Sequence, residues 1–184
     1  MATVPDLDQV GAGRTGAPIR VANAPCSWGL VGRGDPGVGW ARMLDELAAT
    51  GYAGTELGDY GYMPTDPAVL RAELAARGLT LLGAYFGVAL REPGVVERER
   101  ARLERLARLL AGAEPGARRP LLVLADQDGT DAARSRNAGR VTAALGLSNE
   151  EWTIVAANVN ATARIVGDTT GLSTVFHPHC GSFV

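Results

Sequence analysis

The chain has 184 residues, 46% of them apolar and 21% charged, with a formal net charge of −2, the composition of one ordinary globular domain. Near-neutrality gives no reason to expect nucleic acid or an anionic membrane as a partner. All 18 residues in the Lys and Arg total are arginine, so Schiff-base and lysine-base chemistry are excluded as well.

Residues 1–17 are rich in Gly, Ala, Asp and Pro without periodicity and read as a flexible leader to a domain over 18–184. The leader has acidic residues and no apolar stretch, so it is not a secretory signal. No apolar run is long enough for a bilayer. Cys26 and Cys180 alone make no disulfide framework. A reduced cytoplasmic protein is the expectation, with Cys26 as a small buried residue.

Ile19 to Asn23 is a first strand, followed by Pro25-Cys-Ser-Trp-Gly29 and a Gly-rich loop from Leu30 to Gly39. Trp40, Met43, Leu44, Leu47 and Ala48 recur at helical spacing, and Gly51 supplies the stop. Tyr52 to Leu57 is a second strand. Asp66 then caps a helix with Pro67 at its first position, where a missing N–H costs nothing. Gly78 ends that helix, and Leu79 to Val88 is a strongly apolar stretch that reads as a third strand through Phe86. Val95 to Leu110 is a third helix, with Leu103, Leu106, Ala107 and Leu110 on one side and a solvated run of arginines and glutamates on the other.

Pro120 to Asp126 is a fourth strand closed by an acid. Residues 127–147 read as a long loop with one helical turn near Val141–Leu145, and loops of that length are usually functional or poorly ordered. Ser148 and Glu151 form a capping box, with Leu147 and Trp152 as its hydrophobic staple. Trp152, Val155, Ala156, Val159 and Ala163 mark the predicted buried side of that fourth helix. Gly171 ends it, and Leu172 to Phe176 is the fifth strand.

Strands alternating with amphipathic helices call for right-handed parallel crossovers. A dinucleotide-binding sheet would place a glycine-spaced turn after the first strand, and Asn-Ala-Pro-Cys-Ser-Trp-Gly lacks that spacing; Gly32-x-Gly34 is too short a signal. The polar residues instead close several strands in turn: Asn23, Glu56, Tyr85, Asp126, His177 and His179. Function spread over the C-terminal ends of strands is how a TIM barrel builds a site.

Several segments together carry a family resemblance. Asn23-Ala-Pro-Cys-Ser-Trp-Gly29, Leu44-Asp-Glu-Leu, Gly51-Tyr-x-Gly-Thr-Glu56-Leu-Gly58, Gly61-Tyr-Met-Pro-Thr-Asp66, Leu82-Gly-Ala-Tyr-Phe86 and Phe176-His-Pro-His179-x-Gly-Ser resemble, in that order, the inosose dehydratase branch of the xylose-isomerase-like TIM barrels. The resemblance covers roughly 19–184. It implies an α/β fold, a partial TIM barrel of about five parallel strands and four helices that lacks the last three βα units. It also implies a lyase of inositol catabolism that dehydrates a 2-keto polyol of inosose type. The alternatives are a sugar or sugar-phosphate isomerase or epimerase working through the same enediolate, and an inactive fragment.

The family resemblance further implies a divalent ion (Mn, Co, Mg or Zn) held by acidic and His or Gln side chains from the fifth to eighth strands. The branch's fifth-strand glutamate would come directly after Val184, so this chain alone is not expected to bind the ion. Barrels take about 250 residues, about 200 at the low end, in line with a C-terminal truncation. A small polyol or sugar is the expected partner, with a second copy or complementing chain over the open sheet and neither nucleic acid nor membrane.

Glu56, His177 and His179 are the candidate catalytic groups. The two histidines alternate along an extended segment and therefore point the same way. Cys180 cannot join them on one ion, because neighbouring strand residues point apart. Asn23, Ser27 and Trp28 offer an amide, a hydroxyl and a ring of the kind a polyol needs. Tyr85 and Phe86 are also candidates, although at most one can face the barrel interior, and Asp126 is a candidate hydroxyl acceptor or a turn cap.

Overall fold

The structure, a computed structural model, describes residues 19–29, 37–114 and 119–184. The leader and residues 30–36 of the Gly-rich loop lie outside the described residues.

Helix α1 (Trp40–Ala49) precedes β1 (Gly54–Glu56), α2 (Pro67–Ala75), β2 (Thr80–Val88), the short α3 (Val95–Arg98) and α4 (Arg100–Ala113). There follow β3 (Leu121–Asp126), the short α5 (Ala132–Arg136), α6 (Asn149–Thr170) and β4 (Thr174–Phe176). The strands form a sheet in the order β1-β2-β3-β4, every pairing parallel. A doubly wound sheet would reverse its strand order at a switch point. This sheet runs in chain order throughout, which is the progression around a barrel.

The first predicted strand is reduced to a single parallel bridge between Asn23 and Thr55. Val21 still accepts a hydrogen bond from the Ala53 amide at 2.7 Å, so the segment lies on the expected edge. Ile19 and Val21 are 93% and 59% exposed; without burial, pairing does not extend. The third predicted helix breaks at Glu99 into α3 and α4, and α4 runs on to Ala113. The loop over 127–147 contains the expected turn, as a 3₁₀ segment at Ala143–Leu145, and also α5. Asp131 caps α5 by accepting from the Ala133 and Arg134 amides.

The helices cover one side of the sheet. Met43, Leu44 and Leu47 of α1, Leu70 and Leu74 of α2, and Leu103, Leu106 and Leu110 of α4 are buried with Leu81, Ala84, Phe86, Leu122 and Leu124 of the strands. Asp66 caps α2 through the Ala68 and Val69 amides. Arginines and glutamates on the outer side of α4 pair with one another, as in Arg100–Glu97, Arg102–Glu99 and Arg108–Glu104.

Ser148 and Glu151 form the predicted capping box on α6. The Ser148 amide and hydroxyl hold the Glu151 carboxyl below its ordinary range. Its contribution to stability is therefore present above the ordinary glutamate range and is lost as pH falls through the lowered value. Replacing Ser148 by Ala should cost about 1 kcal/mol of stability, read as a lower urea midpoint with unchanged slope.

The inner side of α6 differs from the predicted one. Trp152, Ala156 and Ala163 are exposed, so Trp152 makes no staple. Val155 is buried and Val159 packs on the core as predicted, while Asn158, Thr162, Ile165 and Val166 are buried beside them. The Asn158 amide donates to the carbonyls of Leu90 at 2.7 Å and Glu92 at 3.0 Å, and the Thr162 hydroxyl donates to the Asn158 carbonyl. A satisfied polar pair thus faces the core, where the apolar pattern pointed to another side of the helix.

The opposite side of the sheet is open. Leu82, Tyr85, Leu121 and Val175 are each about two-fifths exposed. The register slips at β2, where Thr55 pairs with Leu81 but Glu56 with Gly83, leaving Leu82 as an extra residue. This bulge carries the helix-facing set from Leu81 to Ala84, Phe86 and Val88 and puts Tyr85 on the open face. A side chain at Gly83 would place its Cβ 2.5 Å from the Leu121 carbonyl oxygen, so the strands approach there only as glycine. Among the described residues no helix is long and apolar enough to cross a membrane.

Candidate active site

The C-terminal ends of β2, β3 and β4 meet at one corner of the open face. Tyr85, Val123 and Val175 are register partners across these strands. His177 extends β4 by one further hydrogen bond, its amide donating to the Leu124 carbonyl at 2.8 Å. The His177 and His179 rings then meet edge to face with centroids 4.6 Å apart, and the Tyr85 ring lies 5.9 Å from His179. Alternation along the extended segment brings these two histidines together as expected.

His179 Nδ1 faces two acceptors, the Asp126 backbone carbonyl at 3.5 Å and the Asp128 carboxylate at 3.5 Å. Burial, together with the negative charges of Asp128 and Asp126, raises the Tyr85 hydroxyl above the ordinary phenol range; Arg102 offsets this in part. Tyr85 therefore stays protonated across neutral pH, as a donor. Gly87 leaves room for it: a Cβ there would come 2.6 Å from the Tyr85 hydroxyl oxygen.

Asp126 ends β3 almost fully buried. One carboxylate oxygen accepts from the Leu90 amide at 3.0 Å and the other from the Phe183 amide at 2.8 Å. Neither a free hydroxyl acceptor nor a cap on the following turn describes this geometry: the carboxylate ties two segments that are distant in the chain to the end of β3. The Phe183 ring lies under the guanidiniums of Arg91, at 4.1 Å, and Arg134, at 5.1 Å. Arg134 is buried and donates to the Ser182 and Leu145 carbonyls. Residues 178–184 and the loop after β3 are thereby fastened to each other beside the histidines.

The other sequence candidates fall elsewhere. Phe86 is wholly buried beneath the Arg102 guanidinium on the helix side, so of the adjacent aromatics Tyr85 alone reaches the open face. Trp28 packs on the core and donates its indole N–H to Glu46 of α1 at 2.7 Å. Its indole donor is therefore committed. Asn23 accepts from the Ser27 hydroxyl and from the Ala24 amide. That local turn presents Cys26 to solvent instead of burying it.

Glu56 ends β1 on the open side of the strand, opposite to buried Thr55. Its carboxylate has no hydrogen bond or ion pair among the described residues. It is three strand positions from the histidines, about 14 Å along the arc, and the structure does not join it to them. Asp128, which the sequence reading did not single out, is in contact with His179. Its signal was the Asp-Gln-Asp-Gly run directly after a strand, where an acidic loop at a strand end is a site position in a barrel.

Among the described residues no three His, Cys, Asp or Glu side chains are gathered closely enough to hold a metal ion. Asp126 spends both oxygens on backbone amides, and Cys180 is exposed. The side chains present do not fit the divalent ion expected from the resemblance.

No family model matches the chain. It is 30% identical over 173 residues to the inosose dehydratase of Salmonella agona, an alignment covering 90% of this chain and 53% of the relative. It is 27% identical over 175 residues to the inosose dehydratase of Geobacillus kaustophilus, covering 93% and 54%. The chain thus spans about half the length of these curated relatives. Among solved structures it matches a sugar phosphate isomerase/epimerase from Parabacteroides distasonis with TM-score 0.57 and 15% identity, covering 96% of this chain and 56% of that one. It matches a probable 3-DHS dehydratase from Bacillus anthracis with TM-score 0.55 and 11% identity, covering 88% and 53%. A xylose isomerase-like TIM barrel/4-hydroxyphenylpyruvate dioxygenase fusion protein gives TM-score 0.58 at 17% identity, covering 88% and 22%. These structural likenesses establish the fold, part of a TIM barrel.

Proposed function

We propose that this homologue of the inosose dehydratases, built as an arc of a xylose isomerase-like barrel, takes part in dehydrating a 2-keto polyol of inosose type, as a cytoplasmic lyase of inositol catabolism. The observation that supports this most directly is the meeting of Tyr85 of β2 with His177 and His179, which follow β4, on the open face of the sheet. Loss of a β-hydroxyl from a ketone requires a base for the α-proton, a donor for the oxygen that becomes an enolate, and an acid for the departing hydroxide.

His179 supplies the base. With its Nδ1 beside two acceptors, Nε2 carries the free lone pair of the neutral ring. The α-carbon loses its proton to Nε2, and the C–H electron pair becomes the enolate double bond. Tyr85, held protonated, donates to the developing oxyanion. The double bond then moves to expel the β-hydroxyl, which takes a proton donated by His177 and leaves as water. Proton and electron pair balance: substrate loses one water overall, His179 gives its proton to solvent and His177 takes one back from solvent, so both rings return to their starting states.

Incubating the chain with an inosose tests this reading. Dehydration gives a product lighter by one water with a new conjugated chromophore, whereas isomerisation or epimerisation conserves mass. A product of unchanged mass would replace the lyase with the isomerase, and an unconsumed inosose would remove both.

A further inference from the structure

We propose that Asp128 is the positioning residue of this site: with the Asp126 backbone carbonyl it keeps the His179 proton on Nδ1 and so makes Nε2 the basic nitrogen. In calling Nε2 the base, the inference rests on the dehydration reading above; the placement of the proton does not.

Three features converge on Asp128. Its Oδ2 lies 3.5 Å from His179 Nδ1, and the Asp126 carbonyl, which can only accept, lies at the same distance from the same nitrogen. A ring nitrogen between a carboxylate and a carbonyl has nothing to accept from, so it carries the hydrogen. The other carboxylate oxygen, Oδ1, stands against Gly181, where an added Cβ would come to 3.2 Å. The absence of a side chain at 181 thus lets the loop after β3 bring Asp128 up to the segment after β4. Arg134, through the Ser182 carbonyl, and Asp126, through the Phe183 amide, hold that segment in place. Asp128 itself remains half exposed and touches no reacting atom; it acts through the imidazole.

Only two histidines exist in the chain, so nitrogen spectra of histidine-labelled protein are assigned by one variant, His177→Gln. Measured above the pH at which the imidazole is protonated, His179 should be mainly the Nδ1–H tautomer. Asp128→Ala should lower the Nδ1–H to Nε2–H ratio about tenfold, the effect of removing the negative charge that faces the ring nitrogen. Gly181→Ala, which crowds the carboxylate without altering it, should shift the ratio the same way by less. If Asp128→Ala does not fold, Asp128→Asn keeps the volume, removes the charge, and should also lower the ratio. A wild-type ring that is mainly Nε2–H, or a ratio unchanged in folded Asp128 variants, would overturn the proposal. The spectra report on the tautomer whether or not an inosose is consumed, so failure of the dehydration reading and failure of this inference are separate results. Where turnover is measured, Asp128→Ala should lower kcat and leave KM nearly unchanged.

Discussion

Replacing Asp126 by Ala should destabilise the chain by about 2–5 kcal/mol, the largest loss expected from any single polar substitution here. The carboxylate is nearly fully buried, and its two oxygens accept from the Leu90 and Phe183 amides. Removing it leaves two donors in a region that water reaches poorly, each costing about 1–3 kcal/mol. The substitution also frees the segment after β4 from β3, so the His179 ring should lose its fixed place. Urea unfolding gives the measure, with Ser148→Ala as a surface comparison expected near 1 kcal/mol. If Asp126→Ala lost no more than Ser148→Ala, the assignment of Asp126 as a structural clamp would be wrong.

His179→Ala should reduce the rate of inosose consumption by about 10²–10⁴-fold, the range for removing a general base, while leaving the fold intact. The ring is partly exposed and contributes no buried apolar surface to the main core, so the effect falls on chemistry. Tyr85→Phe should reduce the rate by less, since the oxyanion loses one donor and keeps the rest of its surroundings. Equal rates in the His179 variant and the wild type would remove the base from the proposed mechanism.

The helices on the sheet's covered side were largely legible in the sequence, because one apolar stripe packs against one partner. Met43, Leu44 and Leu47, and Leu103, Leu106 and Leu110, are buried as their spacing required. Local hydrogen-bond chemistry was equally readable, as at Asp66 and at the Ser148–Glu151 box. Helix α6 was misread because Asn158 and Thr162 are inside. The burial of Asn158 depends on carbonyls of Leu90 and Glu92, more than sixty residues away in the chain, and no helical period carries that information. Strand pairing at Ile19–Asn23 failed for a related reason: pairing needs a covered face as well as a β-prone sequence.

In the site, alternation was enough to bring His177 beside His179. It was also enough to separate Tyr85 from Phe86, although not to say which of the two faces out; the bulge at Leu82 decides that. Trp28 looked like a sugar platform from its neighbours, and its indole N–H instead serves Glu46. Asp128 was passed over because its partner lies across two strand ends, in a segment the sequence showed only as loop.

Exchange of the substrate α-hydrogen is the most direct test of the acid–base account, since proton removal precedes every later step. The wild-type chain, incubated with an inosose in deuterated water, should introduce deuterium beside the carbonyl, as read by mass spectrometry, and His179→Ala should fall to the rate of buffer alone. Exchange at the same rate in both proteins, or none above buffer in the wild type, would contradict it.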